Sequence, residues 1–170
     1  MSWIMVDVES DGPIPGDFSM ISFGAVVVEA DLKNTFYGKL RPISDQWNPE
    51  ALAISGLSRE QTLEFDDPKE VMEKFKGWLA QASKGRPRFI SDNNGFDWQF
   101  VNWYFHHFTG SNPFGYSSMN LGSLYKGLQR DLSPTFKHLR KTVHTHHPLD
   151  DVIGNAEALL TLQKEYGLNL

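Results

Sequence analysis

The run Met20 to Val28 (MISFGAVVV) carries no charge and, apart from Ser22 and Gly24, no residue at home in water. Its closing valines have the β-branched content of a strand, and it lacks the polar alternation of a strand with one wet face. A strand apolar on both faces must be covered on both, so the chain has to supply layers above and below a sheet. Two further strands are expected beside it. Trp3 to Glu9 is a short apolar run ending in acids, and Phe36 to Ile43 alternates well enough for a third strand. DGPIPGD, dense in Gly and Pro, suits a hairpin-like link between the first two.

Beyond Asp45 the period changes. Asn48 as cap, Pro49 at the first helical position and Gly56 as stop enclose a short helix over EALAIS. Asp67 to Ala82 places Val71, Phe75, Trp78, Leu79 and Ala82 at helical spacing. Arg88 to Ser91 reads as a strand, Phe96 to Phe108 as an aromatic-rich helix and Tyr116 to Leu121 as another strand. Leu124 to Leu128, Thr135 to Val143 and Pro148 to Tyr166 read as helices. With no repeat and no linker, residues 1–170 are expected to form one α/β domain, a mixed sheet flanked by helices whose first three strands run antiparallel.

Composition narrows the chemistry. Cysteine is absent, which excludes disulfides, thiol catalysis and Cys-based zinc sites. MSWIMVDVE has no basic leader region, and no stretch approaches the roughly 20 apolar residues of a membrane span. A cytoplasmic location without membrane contact is the expectation. The net charge of −5 runs against a nonspecific nucleic-acid binder, yet a site crowded with carboxylates for cations makes a chain acidic even when its ligand is a polyanion.

Asp7 and Glu9 lie two apart on a strand and so share a face. Solvated strand-end acids are the ordinary reading of an isolated D-x-E. At the end of an apolar strand leading into Ser10-Asp11-Gly12, however, two acids repel unless a cation lies between them. Mg²⁺ and Mn²⁺ suit such oxygen donors. Asp97, in NNGFDWQF, stands near a helix start, where an acid also complements the helix dipole. His146 and Asp151 lie in HTHHPLDDVIGNAEALL, with the histidines ahead of Pro148 and the acids in the first helical turn, where capping is again the alternative. Neighbours on a helix diverge by about 100°, so one of Asp150 and Asp151 can reach a given ion. A structural zinc in HTHH lacks a second ligand cluster.

The ordered set is more specific than its members. VDVESDG resembles the first motif of the DEDDh (DnaQ-like) 3′→5′ exonuclease superfamily, NNGFD the second and HHPLDD the third, H-x-x-L-x-D. ISFGAVVV is similar to that family's second strand, and NPEALAISGLSREQT to its peptide P-x-A-x-x-x-x-G-[IL]-[ST]. The match covers nearly the whole chain and is closest in character to the small bacterial exoribonucleases.

The resemblance implies a ribonuclease H-like fold. It also implies two divalent ions, Mg²⁺ or Mn²⁺, held by Asp7, Glu9, Asp97 and Asp151, with Glu9 between them and His146 as general base. The implied substrates are 3′ ends of single-stranded nucleic acid, RNA before DNA, with a homodimer among the partners. Ser10, Gly12, Glu50 and Ile54 are the implied substrate contacts; Ile54 reads equally well as core. Asp11 and Pro13 depart from the family pattern beside Gly12, as do His147 and Pro148 after the histidine. Lys137, His138, Arg140 and Lys141 are the densest basic run, either a phosphate track or a solvated helix face. A DNA exonuclease of proofreading type and an exonuclease-like domain that binds without cutting are the competing readings.

Overall fold

Side chains of the first strand, β1 (Ser2–Ser10), divide between two faces, and that division lays out the molecule. A computed structural model describes residues 1–170. Ile4, Val6 and Val8 enter a core that includes Phe23, Val71, Phe75, Phe89, Phe100 and Tyr104. Trp3 and Met5 face a second core, built from Val26, Ile90, Val152, Ala156 and Leu159. Asp7 and Glu9 continue this second line toward the end of the strand.

The other strands are β2 (Met20–Val27), β3 (Thr35–Lys39), β4 (Pro87–Ser91) and β5 (Ser118–Asn120). Their spatial order is β3-β2-β1-β4-β5. β1–β2 and β2–β3 pair antiparallel, while β1–β4 and β4–β5 pair parallel. The expected mixed sheet with three antiparallel leading strands is therefore present. Every residue of β2 is buried, as its composition requires.

The helices are α1 (Pro49–Ile54), α2 (Arg59–Leu63), α3 (Pro68–Ala82), α4 (Asn94–Thr109), α5 (Leu121–Gln129) and α6 (Pro148–Tyr166). α3 and α4 cover the first face, α5 and α6 the second. Phe75 of α3 packs on Phe23 at 4.8 Å between ring centroids, on Phe36 at 5.0 Å and on Phe105 at 5.4 Å. Truncating such a buried ring to alanine costs about 3–5 kcal/mol.

Local signals set most boundaries. Asn48 accepts from the N–H groups of Glu50 and Ala51, and Asp67 from those of Lys69 and Glu70, each with proline as the next residue. Three segments differ from expectation. The third strand stops at Lys39, leaving only an isolated bridge between Leu40 and Asp66; Pro42 has no N–H with which to extend the ladder. Tyr116 to Leu121 shrinks to Ser118–Asn120, and Leu121 opens α5. The helix expected over Thr135 to Val143 is a single 3₁₀ turn, Lys137–Leu139. Arg140 leaves helical geometry at ψ 139°, and its side chain pairs with Asp151 on α6. That contact outweighs local helical spacing. α2 went unread, although Ser58 and Gln61 form a reciprocal capping box.

Candidate active site

Asp7 and Glu9 reach one place because β1 is straight up to Glu9; a register shift against β2 follows between Glu9 and Ser10. That bulge carries the chain inward, so that Ser10 and Asp11 are both buried. Opposite Asp7 on β2 stands Gly24. A Cβ there would lie 2.6 Å from the backbone C and O of Pro148 and 2.9 Å from Leu149 N. Glycine thus lets the first turn of α6 rest on β2 beside Asp7, which brings Asp151 in. Carboxylate oxygens of Asp7, Glu9 and Asp151 lie within 4.8 Å of one another. Asp150, one position earlier, is only partly buried and accepts from Thr145 Oγ1 at 2.8 Å. One member of the acidic pair reaches the cluster, and it is Asp151.

Asp97 comes from the first turns of α4. It does not cap that helix; its Oδ1 accepts from the backbone N–H of Val8 at 3.2 Å, which ties α4 to β1 between Asp7 and Glu9. Asp97 and Asp151 are each 1% exposed, and the Oδ2 atom of each is buried without a hydrogen-bond partner.

The electrostatics follow from this crowding. Burial pushes the Asp7 carboxyl well above its ordinary range, and the charges of Asp97, Glu9, Asp151 and Asp92 push the same way. Burial, then Asp151, lifts Glu9 to about 7. Burial lifts Asp97 to about 8, against the pull of the neighbouring Ser91 hydroxyl and then of the Val8 N–H. Hard oxygen donors that resist joint ionisation, two of them with an orphaned buried oxygen, fit divalent cations.

His146 lies in the loop before α6, exposed and in the left-handed region at φ 59°, which few non-glycine residues occupy. Its ring meets that of His144 at 4.2 Å between centroids, and ligand atoms of His144, His146 and Asp151 lie within 4.8 Å of one another. His144 Nδ1 is 2.8 Å from Asp151 Oδ1, a neighbour that motif spacing does not reveal.

A cleft of about 360 Å³ opens beside the cluster, lined by Glu9, Ser10, Gly12, Pro13, Asn48, Ala51, Ile54 and Phe96, within the roughly 300–1,000 Å³ of ligand sites. Glu9 belongs to both cleft and cluster. Ile54 is 56% exposed, so it is cleft wall and not core. Glu50 is exposed and lies outside the lining. Ser10 Oγ donates to the carbonyl of Gly12 at 2.6 Å and so shapes the turn. The departure at Asp11 has a structural cause: wholly buried, it pairs with Arg59 at 2.8 Å and stitches α2 to this turn. Phe96, beside Asp97, was not singled out by the sequence.

The basic run does not act as one surface. Lys137 lines a small hollow with Asp92 and Lys126, and His138 packs edge-on against Tyr125. Lys141 lines a groove with Glu157 and Lys164, while Arg140 is buried against Asp151.

Residues 4–159 match the family described as Exonuclease (RNase_T). The Escherichia coli 3′-5′ DNA exonuclease Cap18 is 42% identical over 130 residues, 74% of this chain and 68% of that protein. The nuclease domain of 3′hExo, a DEDDh family member solved bound to rAMP, has a TM-score of 0.76 at 17% identity, covering 96% of this chain and 92% of its own. Escherichia coli Exonuclease I, solved with a dA16 oligonucleotide, has a TM-score of 0.75 at 15% identity; the alignment covers 96% of this chain and 41% of that one. The fold is ribonuclease H-like, a mixed sheet between helical layers. The chain belongs to the Exonuclease family, within the DEDDh 3′→5′ exonuclease superfamily.

Proposed function

We propose that this protein is a metal-dependent hydrolase that removes nucleotides from the 3′ end of single-stranded nucleic acid. In this reading Asp7, Glu9, Asp97 and Asp151 hold two divalent ions, Mg²⁺ or Mn²⁺, and His146 takes a proton from the attacking water. The observation that carries it is Glu9, shared between the carboxylate cluster and the adjoining cleft, which puts a bond to be cut and a nucleotide to be held side by side.

When bound, the ions neutralise charge at the scissile phosphate and acidify the water that attacks it. Asp97, anchored on Val8, and Asp151, anchored on the α6 loop, hold their oxygens still before substrate arrives. The terminal base lies against Ile54 and Phe96, and the Ser10–Gly12 turn borders its sugar. His146, on an exposed loop, can approach the phosphate without disturbing α6.

DNA is the substrate we propose first. The relative at 42% identity is named a DNA exonuclease, whereas the preference for RNA read from the sequence rests on likeness to small exoribonucleases. No residue in the cleft marks a 2′-hydroxyl contact. A non-cutting binding module has less support, because all five motif positions are filled, Asp7, Glu9 and Asp151 converge, and Asp97 is bound to the strand between Asp7 and Glu9.

The test is a time course on 5′-labelled single-stranded DNA and RNA of one sequence, with Mg²⁺, Mn²⁺ or EDTA. A metal-dependent ladder shortening from the 3′ end, faster on DNA, is expected. Faster loss of RNA would reverse the sugar assignment, and no cleavage of either would leave the binding module.

A further inference from the structure

We propose that Arg140, lodged in a slot over Gly154, is a positioning residue that makes Asp151 a one-oxygen metal ligand. The inference rests on the two-metal reading above and assigns the geometry of one of its ligands.

Arg140 leaves only 6% of its side chain exposed and places Nη2 2.8 Å from Asp151 Oδ1. The same oxygen lies 2.8 Å from His144 Nδ1 and accepts from the Thr145 N–H at 3.3 Å. Two donors, Arg140 Nη2 and the Thr145 N–H, together with the His144 ring nitrogen occupy Oδ1 and leave Oδ2, buried and without a partner, as the oxygen open to a cation. A carboxylate held this way can neither rotate nor chelate through both oxygens.

The slot is built for this contact. A Cβ at residue 154 would lie 2.5 Å from Arg140 Nε, 2.8 Å from Nη2 and 2.9 Å from the Thr142 carbonyl. Glycine inside a helix is a weaker helix former than alanine, and α6 accepts it one turn after Asp151. Arg140 Nε is itself buried without an acceptor, so the guanidinium is placed to suit Asp151 more than to satisfy its own donors. A planar fork reaches sideways over a helix in a way that a lysine ammonium does not.

Partners that orient a ligand carboxylate typically change metal affinity by about 10–100-fold when removed. The test is Mn²⁺ binding followed by the loss of the free-ion paramagnetic resonance signal, with no nucleic acid present. Wild-type protein should bind two ions. Arg140→Met should weaken one of them about 10–100-fold, and Arg140→Lys should recover part of the loss. Gly154→Ala leaves every charge in place but drives a methyl into the guanidinium and the Thr142 carbonyl; it should weaken the same ion, with circular dichroism reporting a folded chain. Arg140→Met and Gly154→Ala proteins that bind both ions as tightly as wild type, or more tightly, would overturn the positioning role. A wild-type protein that binds no Mn²⁺ would overturn the two-metal reading with it.

Discussion

Replacing Glu9 with glutamine should make the metal-free protein more stable, by an amount that depends on pH. Burial and the charge of Asp151 raise the Glu9 carboxyl from its ordinary 4.5 to about 7. The unfolded chain releases this proton near pH 4.5 and the folded chain only near pH 7. Between those values the native state holds the extra proton, so wild-type stability falls as pH rises through that window. At about 1.36 kcal/mol per pH unit the full penalty is roughly 3 kcal/mol above pH 7 and under about 1 kcal/mol at pH 5. The amide keeps the shape but has its own desolvation cost, so a net gain of about 1–3 kcal/mol at pH 8 is expected. For a domain of this size that corresponds to roughly 3–10 °C. The assay is thermal melting of wild-type and Glu9→Gln protein in EDTA from pH 5 to pH 9. The gap should open with rising pH, and saturating Mn²⁺ should close or invert it, because the wild type then gains a ligand that the variant lacks. A gap independent of pH, or a variant less stable at pH 8 in EDTA, would refute the repulsion argument.

Gly24→Ala should lower 3′-end cleavage at least 100-fold, since the new methyl displaces the first turn of α6 and with it Asp151; circular dichroism should still report a folded chain. Asp151→Ala should abolish cleavage, while Asp150→Ala should retain most of the rate, losing only a loop hydrogen bond; the reverse pattern would place the third motif out of register. His146→Ala should slow single-turnover cleavage at least 100-fold and leave the Kd for single-stranded DNA, measured in Ca²⁺, within about twofold, in line with general-base contributions of roughly 10²–10⁴. A variant at wild-type rate would remove His146 as the base.

What the sequence makes legible is what depends on period and order. Asp7 and Glu9 share a face because strands alternate, and Asp151 parts from Asp150 because helices turn by 100° per residue. The apolar run of β2 predicts a covered sheet, and one forms. What it hides depends on contacts between distant segments. Thr135 to Val143 has helical composition, but Arg140 must reach α6 and the segment unwinds to allow it. Glu50 and Ile54 sit on one short helix, yet only Ile54 faces the cleft, because the placement of α1 against β1 and not its own spacing decides this. Gly24 and Gly154 carried a readable signal, since glycine inside a strand or helix implies close approach by something else. What approaches each of them, Pro148 and Arg140, is visible only in the fold. Asp11 looked like a departure in the substrate site and is instead the anchor for Arg59.

The two-metal site is tested by a crystal soaked with Mn²⁺ and a nucleoside 5′-monophosphate, read by anomalous scattering. Two Mn²⁺ peaks about 4 Å apart are expected among Asp7, Glu9, Asp97 and Asp151, with the phosphate beside them and the base against Ile54 and Phe96. Mn²⁺ confined to His144 and His146, or a monophosphate bound away from Glu9, would contradict it.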